Sequence, residues 1–339
     1  MKENKINSFD IAYRAGVSQS TVSRALRNSP LVNKETRDKI QAIARELNYK
    51  VDKNAANLRS QTTHTLALLL FEDPTSDDSL INPFFLSMLG NITRAAASHG
   101  YDLLVSFQQL DQDWHREYEL SNRADGIILL GYGDYVAYGS KLQQLADSNA
   151  HFIIWGPIVA GQPGHSIGCD NLQGGMQATQ CLFTKGCKKI AFIGDASDRS
   201  PEFKLRYEGY LQSHFDRRSE PEPTLYIDAD NQEISGYRAA NKLLAMDHAF
   251  DGIFAASDLI AIGAIQALQK HGLAVPRDVA VVGFDDIPAA SYMNPSLTTV
   301  RQDTQLAGKL LVEKLIQSIE GGSVDSDLIT PSLIVRESC

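Results

Sequence analysis

Two groups of residues carry the types and spacing that chemistry with a partner needs. The first is polar and close in sequence: Gln19, Ser20, Thr21, Ser23 and Arg24. Amides, hydroxyls and a guanidinium reach base edges and phosphates, and an arginine fork matches a guanine edge with two hydrogen bonds. The alternative is a solvated polar face of a small helical bundle. The second group is dispersed: Phe84-Phe85, Asp170, Arg206, Ser257 and Asp285. Aromatic faces suit the C–H faces of a pyranose, and a guanidinium and a carboxylate hydrogen-bond vicinal hydroxyls. Against this, a Phe-Phe pair is often plain core, and Arg206 and Asp285 would each fit a mutual or a surface salt bridge. Trp114, Trp155, Tyr132 and Tyr135 also fall near strand ends, as stacking or packing residues.

Catalytic signatures are missing from the sequence. It contains no GxSxG, HExxH or P-loop, and Gly131-Tyr-Gly133 lacks the third glycine and acidic follow-up of a dinucleotide site. The eight histidines are scattered, and Cys169, Cys181, Cys187 and Cys339 show no CxxC spacing. Reduced thiols, no cofactor and no metal are therefore expected. A sugar-modifying enzyme stays as a distant alternative.

The charge is uneven. The chain has 32 Lys+Arg and 41 Asp+Glu in 339 residues, yet the first sixty hold 12 basic against 6 acidic residues. A basic end on an acidic body assigns one segment to a polyanion and the rest to something else. The stretch Met1–Asp10 has no apolar core of a secretion signal, and the run Leu66–Phe71 is too short to cross a bilayer, so a cytoplasmic location is expected.

The elements that must position the first group are three short helices. Asn7 with Asp10 has capping-box spacing before a helix from about Ser8 to Ala15. Gly16 supplies a left-handed turn, Ser18 caps a helix from Gln19 to about Arg27, and Asn33 caps a third. Val22 and Leu26 face inward with Ile40, Ile43, Ala44 and Leu47. Two helices about a glycine turn make a helix-turn-helix unit, whose second helix enters the major groove. Lys50–Gln61 has no hydrophobic stripe, and Leu58 stands alone in it beside Arg59, either packed on a neighbouring domain or free to act elsewhere.

The second group needs a scaffold of strands and helices. Strand-like runs occur at Leu66–Phe71, Asp102–Phe107, Gly126–Gly131, Phe152–Trp155, Lys189–Gly194, Gly252–Ala256 and Val279–Phe284, with amphipathic stretches between most of them. Apolar strands alternating with helices predict parallel sheets covered on both faces, here in two similar halves divided near Pro157–Pro163. Ligands of such folds sit at the carboxyl ends of the strands.

Asp10-Ile-Ala, Ala15-Gly-Val-Ser, Thr21-Val-Ser-Arg24, Thr36-Arg37 and Leu47-Asn-Tyr49 resemble the head of the lactose-repressor (LacI/GalR) family. Asn82-Pro-Phe-Phe85, Tyr101-Asp-Leu-Leu, Ala124-Asp-Gly-Ile, Asp170-Asn171 with Gly174-Gly175, Ser257-Asp258 and Gly283-Phe-Asp-Asp286 resemble its sensor, itself similar to periplasmic sugar-binding proteins. The resemblance implies an α/β fold: an all-α helix-turn-helix head (residues 1–49), a hinge helix (50–61) and a sensor of two doubly wound subdomains (62–339). The chain is expected to cross between subdomains near residues 160, 290 and 320. The first subdomain then holds about 62–160 and 291–319, the second about 161–290 and 320–339.

The resemblance further implies a homodimer, with a tetramer left open, on double-stranded operator DNA. Gln19, Ser20 and Arg24 would read bases, with Thr21, Ser23 and Asn33 in the same interface. Leu58 would wedge into a base step with Arg59 beside it, while Val51 and Asp52 depart from the family's hinge pattern and put the contacts there in doubt. Arg206 and Asp285 would hold a small sugar or sugar-derived effector through its hydroxyl groups, with Ser257 and Asp170 as weaker candidates. A transport-type binding protein also fits residues 62–339, but the helix-turn-helix head opposes it.

Overall fold

The computed structural model describes residues 6–47, 49, 62–70, 81–107, 112–131, 135–246 and 249–339. The chain divides into two compact units, residues 1–63 and 64–339. Within the first, helices α1 (Ser8–Ala15), α2 (Gln19–Leu26) and α3 (Lys34–Glu46) begin where short side chains cap them. Asn7 accepts from the Phe9 and Asp10 amides while Asp10 accepts from the Asn7 amide at 2.8 Å, a complete capping box. Gly16 closes α1 at φ 72°, a left-handed conformation that a side chain would strain. Ile11, Ala15, Val22, Ala25, Val32, Ile40 and Ala44 form the head's small core, with Leu26, Ile43 and Leu47 packed against it. Lys39 donates to the Ala15 carbonyl and Gln41 to Asn28, tying α3 to the turns on either side of α2. The segment Lys50–Gln61, with Leu58 and Arg59, lies outside the described residues.

The second unit carries two six-stranded sheets. In chain order its elements are β1 (Thr65–Leu70), α4 (Pro83–Ser98), β2 (Asp102–Phe107), α5 (Trp114–Tyr118), β3 (Gly126–Leu130), α6 (Tyr135–Asp147), β4 (Phe152–Trp155) and β5 (His165–Cys169). There follow α7 (Asn171–Thr184), β6 (Ile190–Ile193), α8 (Pro201–Asp216), β7 (Tyr226–Ile227), α9 (Glu233–Ala245), β8 (Gly252–Ala255), α10 (Asp258–Lys270) and β9 (Ala280–Asp285). The remainder is α11 (Pro288–Tyr292), β10 (Thr298–Arg301), α12 (Thr304–Ile319), β11 (Asp327–Ile329) and β12 (Ser332–Ile334). The first sheet runs β11-β5-β4-β3-β1-β2 and the second β12-β10-β9-β8-β6-β7. All described pairings are parallel except β10 with β12. Strands such as Gly126–Leu130 and Ile190–Ile193 are buried along their whole length, as parallel strands covered by helices on both faces require.

The crossings between halves differ from the sequence expectation. The chain at residue 160 turns back into its own sheet as β5, beside β4, and crosses only after Cys169. Likewise β10 pairs with β9, so the second crossing follows Arg301 rather than residue 290. The third lies between β11 and β12, near residue 330 rather than 320. The physical reason is that the displaced boundaries are set by short strands of mixed composition. His165–Cys169 reads HSIGC and Thr298–Arg301 reads TTVR, so neither shows as an apolar run.

Helices α7 and α8 approach backbone to backbone. A Cβ on Gly175 would lie 2.2 Å from the Arg206 carbonyl oxygen, and one on Gly209 2.3 Å from that of Leu172. Neither neighbour is a flexible side chain, so the helices must separate to admit a methyl group. Gly175→Ala is expected to cost about 1–3 kcal/mol of stability. Urea unfolding measures this, and an unchanged midpoint would show that the helices yield freely.

Candidate functional site

In the head, Ser18 caps α2 and its hydroxyl also meets those of Ser20 and Thr21 at 2.8 and 2.9 Å. Gln19 is half-buried and donates to the Ser8 hydroxyl at 2.7 Å, so its amide is steered by α1. Thr21 and Ser23 are half-buried, whereas Ser20 and Arg24 are exposed. Arg24 has no ion-pair partner among the described residues, and its guanidinium is available to an anion or a base edge. Asn33 is exposed and caps α3 by accepting from the Thr36 amide at 2.8 Å. The five polar residues of α2 are therefore brought together on one short helix, and Asn33 stands at the start of the next.

In the second unit, the buried polar residues converge where the strands end. Asp285 is the last residue of β9, at φ 111°, a strained conformation for a residue with a side chain. Its carboxylate lies 3.5 Å from the Arg206 guanidinium and accepts from the Gln302 amide at 2.6 Å. Arg206 enters from α8, is wholly buried, and donates from Nε to Asn171 Oδ1 at 2.8 Å and from Nη1 to the Ala256 carbonyl at 2.5 Å. The Phe284 ring faces the guanidinium at 3.7 Å and Phe203 at 5.0 Å. The close contact of Gly175 and Gly209 sets α7 against α8 at the register in which Asn171 meets Arg206. Thus the two charged residues are a mutual ion pair, held in a hydrogen-bonded frame at the ends of β8 and β9.

One turn before Arg206 stands Glu202, also buried, which accepts from the Tyr135 hydroxyl at 2.9 Å. Tyr135 begins α6, which follows β3 of the first sheet, so this bond joins the two halves. A Cβ on Gly156 would sit 1.9 Å from the Tyr135 oxygen and 3.6 Å from Glu202, placing the end of β4 at the same spot. Burial pushes the Glu202 carboxyl up to about 7, against the Tyr135 hydrogen bond and the Arg206 charge, which pull it down. A carboxyl that keeps its proton more tightly when folded contributes stability that is complete below its free value of 4.5 and is lost as pH rises to about 7. Glu202→Gln is therefore expected to flatten the fall in stability over that window, by up to roughly 3 kcal/mol. Parallel stability–pH curves for variant and parent would remove Glu202 as the cause.

The remaining candidates separate into distinct roles. Phe84 and Phe85 open α4 as core residues, 1% and 5% exposed, and Phe84 packs near Trp155, ring centres 6.0 Å apart. Ser257 caps α10 and Asp170 caps α7, each by accepting a backbone amide. Trp114 belongs to a separate cluster with Ala67, Leu69, Tyr118 and Leu142, and Tyr132 lies outside the described residues. Asn171, Glu202, Gln302 and Tyr135 complete the arrangement. Of these only Asn171 and Tyr135 stood out in the sequence, the first within a motif and the second as an aromatic near a strand end. Asp258 is wholly buried, accepts from the Ile287 amide and the Thr299 hydroxyl, and is raised well above the usual carboxylate range by burial. No group of three metal-ligating side chains occurs among the described residues, and no described helix is long and apolar enough to cross a membrane.

Comparison with known proteins matches two parts of the chain to family models. Residues 9–52 match the model of bacterial regulatory proteins of the lacI family, and residues 179–339 that of the periplasmic binding protein-like domain. The ribose operon repressor of Escherichia coli (strain K12) is 32% identical over 337 residues, covering 97% of this chain and 98% of that protein. The HTH-type transcriptional repressor PurR of Haemophilus influenzae (strain PittEE) is 28% identical, covering 97% of each. Among solved structures, a transcriptional regulator CelR–cellobiose complex superposes with a TM-score of 0.72 at 28% identity, covering 98% of this chain and 100% of that one. The lac repressor dimer bound to operator and the anti-inducer ONPF shares the fold, with a TM-score of 0.85 at 24% identity over 99% of each chain. With the helix-turn-helix head and the two-sheet body in place, the chain belongs to the lacI family of bacterial regulatory proteins and is a DNA-binding transcription regulator, not an enzyme.

Proposed function

We propose that the protein is a cytoplasmic, homodimeric repressor of carbohydrate-utilisation genes whose operator affinity is set by a small sugar bound between the two halves of the second unit. The observation that carries this reading is the buried Arg206–Asp285 pair, framed by Asn171, Gln302 and the Ala256 carbonyl at the strand ends. A guanidinium and a carboxylate already fixed in place exchange partners with vicinal hydroxyls at little reorganisation cost. In this reading Phe84, Phe85, Asp170 and Ser257 also belong to the effector site, with Trp155 packed near Phe84. The ribose repressor and the cellobiose complex among the relatives support a sugar as the ligand class.

Three chain crossings join the halves, near residues 170, 302 and 330, and Tyr135–Glu202 bridges them. A ligand that prefers one relative position of the halves shifts their equilibrium. That shift reaches DNA through the hinge, residues 50–61, between a head at 1–49 and the body at 62–339. There Gln19, Ser20, Thr21, Ser23, Arg24 and Asn33 meet the major groove, and Leu58 and Arg59 the minor groove. A thermal-shift screen of pentoses, hexoses, disaccharides and their phosphate esters tests the reading. A true effector at 100 times its Kd stabilises by about 2.7 kcal/mol. Stabilisation by purine bases with none by any sugar would overturn the carbohydrate assignment.

A further inference from the structure

The four cysteines are all buried and unpaired, yet they are not equivalent. Cys169 is pushed up to about 12 and Cys187 to about 11, in each case by burial first, so both remain inert thiols. Cys187 moreover donates to the Asp251 carbonyl. Cys181 on α7 and Cys339 differ: their sulfurs lie 3.4 Å apart although 158 positions separate them in sequence. A disulfide needs about 2.05 Å between sulfurs, a gap that side-chain rotation closes when both groups already point at each other.

The tail that carries Cys339 is held firmly enough to keep this pair in register. Ser338 exchanges backbone hydrogen bonds with Val281 and Ser296, and its hydroxyl donates to the Val281 carbonyl while accepting from the Thr298 amide. Arg336 donates to the Leu297 carbonyl at 2.7 Å and to Asp286 at 2.6 Å. The tail therefore runs from the Asp285–Asp286 turn at one end of the second sheet to the cysteine pair at the other.

We infer that Cys181 and Cys339 form a redox-sensitive dithiol, which a hydroperoxide converts to an intrachain disulfide that fastens the tail to α7. The hydrogen bond between the two sulfurs, with Lys185 assisting, holds the Cys181 thiol below its usual value against the effect of burial. Cys181 is the nucleophile: at 9% exposure it is the less buried of the two, and Lys185 stands one turn further along the chain from it. With hydrogen peroxide, its sulfur attacks one oxygen; the S–O bond forms as the O–O bond breaks, and the departing hydroxide takes the Cys181 proton as water. The Cys339 sulfur then attacks the sulfenic sulfur, the S–S bond forms, the S–O bond breaks, and a second water leaves with the Cys339 proton. Two thiols lose two electrons and one peroxide becomes two waters.

The test treats the folded full-length chain with hydrogen peroxide, alkylates free thiols after denaturation, and maps peptides by mass spectrometry. A Cys181–Cys339 linked peptide is expected, with Cys169 and Cys187 alkylated, and dithiothreitol should reverse the link. The oxidised protein should melt a few degrees higher, since the link constrains a long loop of the unfolded chain. Cys339→Ser should leave Cys181 as a sulfenic acid that dimedone traps, while Cys187→Ser should still form the link. Absence of the linked peptide in the parent chain, a link to Cys187 instead, or a link formed only after unfolding would each overturn the inference.

Discussion

Arg206→Ala is expected to lower the stability of the second unit by about 3–5 kcal/mol, the range for breaking a buried ion pair from one side. The guanidinium is wholly buried and meets Asp285, Asn171, the Ala256 carbonyl and the Phe284 ring. Its removal strands a carboxylate and two acceptors away from water. The Gln302 amide still donates to Asp285. The pair is thus part of the fold as well as of the proposed sugar site, and a ligand assay on this variant alone would mix the two effects. Asp285→Asn keeps the size and the hydrogen-bonding shape and removes only the charge, so its own loss measures the electrostatic part of the pair. Guanidinium unfolding of Arg206→Ala, Asp285→Asn and the double variant gives the coupling directly. The double variant should lose less than the sum of the two single losses. Additive losses, or a cost below about 1 kcal/mol for Arg206→Ala, would show that the ion pair is incidental.

Arg24→Ala is expected to reduce preference for the operator by about 1–3 kcal/mol per half-site, roughly one to two decades of affinity each, while weak binding to any duplex persists. The side chain is exposed and has no ion-pair partner among the described residues, so the head should keep its melting temperature. A loss of discrimination at constant stability is the signature of a base contact. A uniform weakening on all sequences, with a shallower salt dependence, would instead make Arg24 a phosphate contact. Equal operator affinity for variant and parent at fixed salt would remove it from the interface.

Much of the head was legible in the sequence because its determinants are local. Asn7, Ser18 and Asn33 each cap the helix that begins after them, and Gly16 turns the chain where its left-handed conformation is required. Strands read as apolar runs, such as Leu66–Leu70 and Phe152–Trp155, for the same reason. The crossings lie elsewhere than expected because β5, β10, β11 and β12 are short and mixed in composition, so none shows as an apolar run. The same limit applies at the site. Arg206 and Asp285 were identifiable through family motifs and their mutual salt bridge was one of the readings, yet their contacts with Asn171 and Gln302 join positions 35 and 17 apart. Tyr135 and Glu202 are 67 positions apart, and no periodicity links them. Ser257 and Asp170 illustrate the converse: polar residues at strand ends whose local geometry makes them helix caps.

Sugar-linked control of DNA binding is the central claim, and one titration tests it most directly. A near-palindromic duplex selected by the full-length chain from random DNA is titrated at fixed salt, with and without the sugar that gives the largest thermal shift. Parent and Asp285→Asn chains are compared side by side. The expected result is a change of at least roughly fivefold in operator affinity for the parent, the lower end of ordinary allosteric coupling, and little change for Asp285→Asn. Identical operator affinity for the parent with and without saturating sugar would contradict it.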